Sequence, residues 1–147
     1  MSKLIWILLA LLSGAFLPIQ GGLNTKLGKA VANPVYASMF SFVIGALALI
    51  SYIIVTRQTI SWAGIKDAPN YIWLGGLLGA FYVTIIVLAF PILGPGLTFG
   101  LVVAGQMIVS VLLEHFNILV AQQNPISFMK VIGIALVVAG VIIIRKF

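Results

Sequence analysis

The chain reads as an all-α integral membrane protein with five transmembrane helices, and three observations lead there. Sixty-three per cent of its 147 residues are hydrophobic and only 7% are charged, with a mean hydropathy of +1.27, values outside the range of soluble domains. The apolar residues are gathered in runs of roughly 20, the length that crosses a hydrocarbon core of about 30 Å at about 1.5 Å per residue. The eight basic residues stand singly or in pairs at the ends of these runs, which suits lipid headgroups rather than a nucleic acid. No soluble domain fits in what is left, so residues 1–147 form a single transmembrane domain.

The first span is expected over 4–24. A lysine followed by an apolar run imitates a signal peptide, but the run is long enough to cross and four more follow, so it is read as a retained helix. It ends in "GAFLPIQGGLNTKLG". Pro18 removes a helix hydrogen bond and Gly14, Gly21 and Gly22 weaken the same region, which predicts an irregular backbone around Gln20. Such a break is tolerated at depth only against protein or a cavity. Gln20 and Asn24 are therefore candidate cavity liners, with a packed proline kink as the alternative.

The second span is expected over 34–56, where Asn33 caps and Pro34 takes the first helical position, its missing N–H costing nothing there. Asp67-Ala68-Pro69 looks similar and opens a third span over 69–90. Gly94-Pro95-Gly96 divides the long apolar stretch that follows Tyr71, giving a fourth span over 96–116. Asn124-Pro125 opens the fifth, over 125–144. Trp6, Trp62, Tyr71 and Trp73 fall near helix ends and read as an aromatic interface belt.

Small residues recur at helix-packing spacings: Gly75 with Gly79, Gly96 with Gly100, and Gly133 with Gly140. From Val131 onward the fifth span has no polar side chain before Arg145, so it lines no aqueous path. It is assigned to lipid and, through the Gly133/Gly140 face, to contact with a second copy.

The fourth span differs. "GQMIVSVLLEHF", residues 105–116, carries the only glutamate and the only histidine of the chain. Gln106, Ser110 and Glu114 lie at i, i+4 and i+8, one stripe about 12 Å long. A carboxylate facing hydrocarbon costs several kcal/mol, so the stripe must face protein or water. Interhelical hydrogen bonding for Gln106 and Ser110, and an interfacial place for Glu114, is the plainer alternative. His115, about 100° round the helix, reads as an interface residue before a ligand. One histidine and two acids are too few for a zinc site, and no cofactor is implied.

Five crossings put the two ends of the chain on opposite sides. Lys3, Arg57, Lys66 and Lys130 fall on one side, and Lys26, Lys29, Arg145 and Lys146 on the other. Orientation follows the excess of Lys and Arg, and here there is none. The tie predicts insertion both ways up, and with it an antiparallel, dual-topology homodimer: ten helices with inverted-repeat symmetry, the plan of many secondary transporters. Inverting one copy brings its Gln20 to the depth of its partner's Glu114, giving two equivalent polar chambers. Ser38, Ser41 and Tyr82 add polar handles, and Phe42, with Phe81 and Phe99, supplies rings for an amphipathic ligand.

"PIQGGLNTKLG" at 18–28, "GGLLGAFYV" at 75–83 and "GQMIVSVLLEHF" at 105–116 together resemble the bacterial domain-of-unknown-function 606 family of the drug/metabolite transporter superfamily, over the whole chain. The resemblance implies a multi-pass inner-membrane half-transporter working as an antiparallel homodimer, as an oppositely oriented pair, or fused into ten helices. Two departures matter. The family's fourth helix ends Asp-His-Phe-Gly, whereas this one ends Glu114-His115-Phe116-Asn117. The related small multidrug resistance exporters carry a proton-coupling glutamate in the first helix, where this chain offers only Gln20. Proton coupling, if present, falls to Glu114 or His115.

The leading expectation is a secondary-active transporter of a small organic solute across the bacterial inner membrane, in contact with lipid and with a second copy of itself. An uncoupled pore and a non-transporting assembly partner are the alternatives. No nucleophile, base and acid can be assembled into an enzyme site.

Overall fold

The computed structural model describes residues 2–147. It is all-helical, with five helices long and apolar enough to cross a membrane. These belong to α1 (Lys3–Ala30), α2 (Pro34–Thr56), α4 (Leu74–Leu93, led by a 3-10 turn over Asn70–Trp73), α5 (Pro95–Phe116) and α6 (Phe128–Lys146). A short α3 (Trp62–Asp67) lies between α2 and the 3-10 turn. The chain divides into two compact units, Met1–Pro91 and Ile92–Phe147.

In the first unit α1 runs unbroken for 28 residues, against the expectation of an irregular backbone at Gln20. Pro18 lies inside the helix and forfeits one hydrogen bond without interrupting it. The helix also passes the expected end at Asn24. At about 42 Å it outreaches the hydrocarbon core, so its last turns carry Lys26 and Lys29 toward the headgroups. Ala32 (φ 53°) turns the chain, and Asn33 then caps α2 as expected, its Oδ1 accepting from the backbone N–H of Val35 at 2.9 Å and of Tyr36 at 3.2 Å.

Gly21, Asn24, Thr25 and Gly28 are buried on one face of α1, at the i, i+3, i+4, i+7 spacing of a packed stripe. Three helices converge at Gly28. A Cβ there would stand 3.3 Å from Pro34 Cα, 3.6 Å from Ala37 Cβ and 3.4 Å from Val87 Cγ1. Val83, Ile86 and Val87 form the buried face of α4. Two further approaches seat aromatic rings on glycines: Phe90 against Gly22 and Phe42 against Gly79, at 3.6 and 3.5 Å from the missing Cβ positions.

The third span runs over Asn70–Leu93, near the expected 69–90, and opens with a 3-10 turn. Pro69 stands before the 3-10 turn instead of opening the helix, Asp67 ends α3, and Ser61 caps α3 by accepting from the N–H of Gly64 at 3.1 Å. Pro91 sits inside α4, which continues to Leu93.

In the second unit Gly94 takes φ 76°, ψ 162° and Pro95 follows at the first turn of α5, a backbone conformation essentially reserved for glycine. The helices α5 and α6 pack on each other where α5 has no side chains. Gly96 receives Ile144, and Gly100 receives Val141, whose Cγ2 lies 3.0 Å from the missing Cβ position. The expected Asn124-Pro125 start of the last span is displaced: α6 opens at Phe128, with Ser127 Oγ accepting from the N–H of Lys130 at 3.3 Å. Asn124 is used elsewhere.

Candidate functional site

Polar side chains on apolar helices mark the places where function is to be sought. In the first unit they gather around α2. A hollow of about 310 Å³ is lined by Gln20 of α1 and by Ser41, Phe42, Gly45 and Leu49 of α2. A second, of about 520 Å³, is lined by Ser38, Met39 and Phe42 of α2 and by Ala80 and Thr84 of α4. Ser38, Phe42 and Ala46 lie one above another at i, i+4, i+8, and Phe42 and Ala46 face both hollows.

Four of the residues expected from sequence, Gln20, Ser38, Ser41 and Phe42, therefore line adjoining walls. The Phe42 ring is positioned by Gly79, whose lack of a side chain lets it lie against α4. The Ser38 hydroxyl donates to the Pro34 carbonyl at 3.2 Å, so it is spent within its own helix. Gln20 and Ser41 make no hydrogen bond among the described residues. Thr84 carries no signal in the sequence; it stands two residues after Tyr82, and only the packing of α4 on α2 brings it to the hollow.

Asn24 is 6% exposed. Its Nδ2 is buried without a hydrogen-bond partner, as is the hydroxyl of Tyr82. Neither satisfies the other. Thr25 beside it is satisfied, donating to the Gly21 carbonyl at 2.8 Å. Thr25 also helps to line a third hollow, about 170 Å³, with Gly28, Lys29, Pro34 and Val87.

The second unit holds the other polar set. Gln106 and Ser110 are exposed along α5. Glu114, at the end of the same stripe, is engaged: Lys130 Nζ donates to its Oε2 at 2.8 Å and to the Asn124 carbonyl at 2.8 Å. The Asn124 N–H in turn donates to the Glu114 carbonyl at 3.1 Å.

His115 is engaged as well. Its Nδ1 accepts from the N–H of Ile126 at 3.2 Å, and its carbonyl accepts from Gln123 Nε2 at 2.8 Å. The only glutamate and the only histidine thus fasten the segment between α5 and α6 onto the last turn of α5. The helix itself stops at Asn117, in the left-handed conformation.

Gly133 and Gly140 have nothing within 4 Å of their missing Cβ positions, so this face of α6 is open within its unit.

No curated protein and no solved structure matches the chain. A family model described as "Putative inner membrane exporter, YdcZ" matches residues 5–143, and the chain belongs to that family of multi-pass inner membrane proteins.

Proposed function

We propose that the chain is one half of a secondary-active transporter that carries a small organic solute by alternating access in an antiparallel homodimer. The observation that carries this reading is the pair of hollows sharing Phe42. They present Gln20, Ser41 and Thr84 beside an aromatic ring, on helices that otherwise offer hydrocarbon, and a mostly apolar recess with a few polar groups is the usual form of a ligand site.

The inverted pairing draws on three supports. The basic residues divide evenly between the two sides, which removes the usual bias in orientation. Gln106 and Ser110 are exposed on their unit, and polar groups at this depth call for water or another chain. The Gly133/Gly140 face is open to a close approach, as small-residue faces allow.

Coupling to protons, in this reading, runs through the fastening between α5 and α6. A proton on the His115 ring removes the lone pair that accepts from Ile126, and a proton on Glu114 removes the charge that holds Lys130. Glu114→Gln leaving transport and its pH dependence unchanged would dismiss that role.

Counterflow in proteoliposomes tests the carrier. Unlabelled solute inside the vesicles should trap labelled solute entering from outside, and entry should saturate. Rapid, non-saturating entry without trapping would make the protein a pore.

A further inference from the structure

The structure also bears on the class of solute, given that the hollows of the first unit belong to a carrier. We infer that the solute has an apolar body headed by an oxygen acceptor, such as a carboxylate or carbonyl, and carries no positive charge.

The acids argue first. The whole chain contains two acidic residues. Asp67 closes the short α3, outside the spans, and Glu114 is already bound to Lys130 at 2.8 Å. A cation drawn out of water needs an opposite charge or a dense shell of acceptors to replace its hydration. The spans hold no uncommitted carboxylate to supply one.

The donors point to the complementary charge. Asn24 Nδ2 and the Tyr82 hydroxyl are buried without partners, which native structures rarely leave so unless some state supplies an acceptor. The buried hydroxyls of Thr25 and Ser38, by contrast, already donate to carbonyls of their own helices. Among the polar groups of the spans left without a hydrogen bond among the described residues are an amide N–H on Asn24 and a phenol O–H on Tyr82, and, lining the hollows, the amide of Gln20 and the hydroxyls of Ser41 and Thr84. All of them can donate.

Charge at the end of α1 agrees. Lys29 borders the hollow of about 170 Å³ beside Thr25 and Val87, and the sole ion pair among the described residues is that of Glu114 and Lys130. The Lys29 ammonium therefore lacks a carboxylate partner and attracts negative or acceptor-headed molecules toward the same helix end.

Three probes with one apolar body separate the possibilities: phenylacetate, phenylacetamide and phenyltrimethylammonium. They are titrated calorimetrically against the purified full chain in detergent. Phenylacetate and phenylacetamide should bind and the ammonium should not. Asn24→Leu and Tyr82→Phe should each weaken phenylacetate about tenfold, the loss of one hydrogen bond to a buried donor. Neither should lower the thermal midpoint, because an orphaned donor contributes nothing to the unliganded fold. A lowered midpoint with unchanged affinity would assign these groups to structure and overturn the inference. So would binding of the ammonium in preference, or no binding of any probe. Uptake of the same probes into proteoliposomes separates the two readings: binding without flux removes the carrier, whereas preferred flux of the ammonium keeps the carrier and removes the solute class.

Discussion

Lys130 reaches back to Glu114, Nζ to Oε2 at 2.8 Å, and in the same position takes the Asn124 carbonyl at 2.8 Å. One ammonium thus ties the first turn of α6 to the last turns of α5 and to the segment between them. The pair is partly open to solvent, with side-chain exposures of 22% for Lys130 and 38% for Glu114, so screening keeps its strength modest. Glu114→Gln and Lys130→Met should each lower the thermal midpoint in detergent, and the double variant should fall short of their sum by about 1 kcal/mol. Strict additivity would mean that the contact adds nothing.

Gly100 and Val141 set the separation of α5 and α6. A methyl at position 100 would lie 3.0 Å from Val141 Cγ2 and 3.2 Å from Cγ1, tighter than most carbon contacts, so Val141 would have to give way. Gly100→Ala should destabilise the second unit by about 1–3 kcal/mol, as overpacked positions do. Adding Val141→Ala should recover most of the loss, and thermal denaturation of both variants checks this.

Gly94 holds φ 76°, ψ 162°, a region closed to residues with a Cβ. Gly94→Ala should cost about 1–3 kcal/mol. Nothing lies within 4 Å of its missing Cβ position, so the penalty is purely conformational and no compensating cavity should relieve it. A midpoint equal to that of the parent chain would show that the turn can re-form in another conformation.

Ser41 and Gln20 share the hollow of about 310 Å³ beside Phe42. Ser41→Leu fills part of it and removes a donor, and Gln20→Leu removes the amide. Each should lower phenylacetate uptake into proteoliposomes about tenfold with the thermal midpoint unchanged, since both side chains are unbonded in the fold. Undiminished uptake would move the solute path elsewhere.

Orientation should respond to the removal of a pair of charges. The chain contains no cysteine, so Ser2→Cys gives a unique label site, and an impermeant maleimide should reach about half the molecules from either face of the membrane. Removing Lys26 and Lys29 as glutamines leaves the Lys3 side more basic and should place it in the cytoplasm, so that Ser2→Cys is labelled from that face alone. Labelling of the parent chain from one face only would exclude the antiparallel homodimer.

Several features are legible from local physics. Asn33-Pro34 opens α2 as expected because cap and first-turn proline act within one turn of chain, and Gly94-Pro95 divides α4 from α5 for the same reason. Asn124-Pro125 has the same local pattern and is not a helix start. Its asparagine backbone is held by Glu114 and Lys130, partners ten residues before it and six after, and no local rule anticipates that. The end of α1 lies beyond the expected Asn24 because loss of hydropathy is not loss of helix; Lys26 and Lys29 continue the helix into a polar layer.

Apolar length and turn chemistry are properties of neighbouring residues, and they suffice for an all-helical chain with five helices able to span. Packing between helices selects which glycines receive a neighbour. Gly28, Gly79, Gly96 and Gly100 are met at contact distance, whereas Gly133 and Gly140 are left open. Packing also leaves Glu114 bound to Lys130 while Asn24 Nδ2 and the Tyr82 hydroxyl are not bound at all. A polar group inside apolar helices has to find a partner or forgo one, and which of these occurs depends on what the other helices bring within about 3 Å, a distance that periodicity along one helix does not encode.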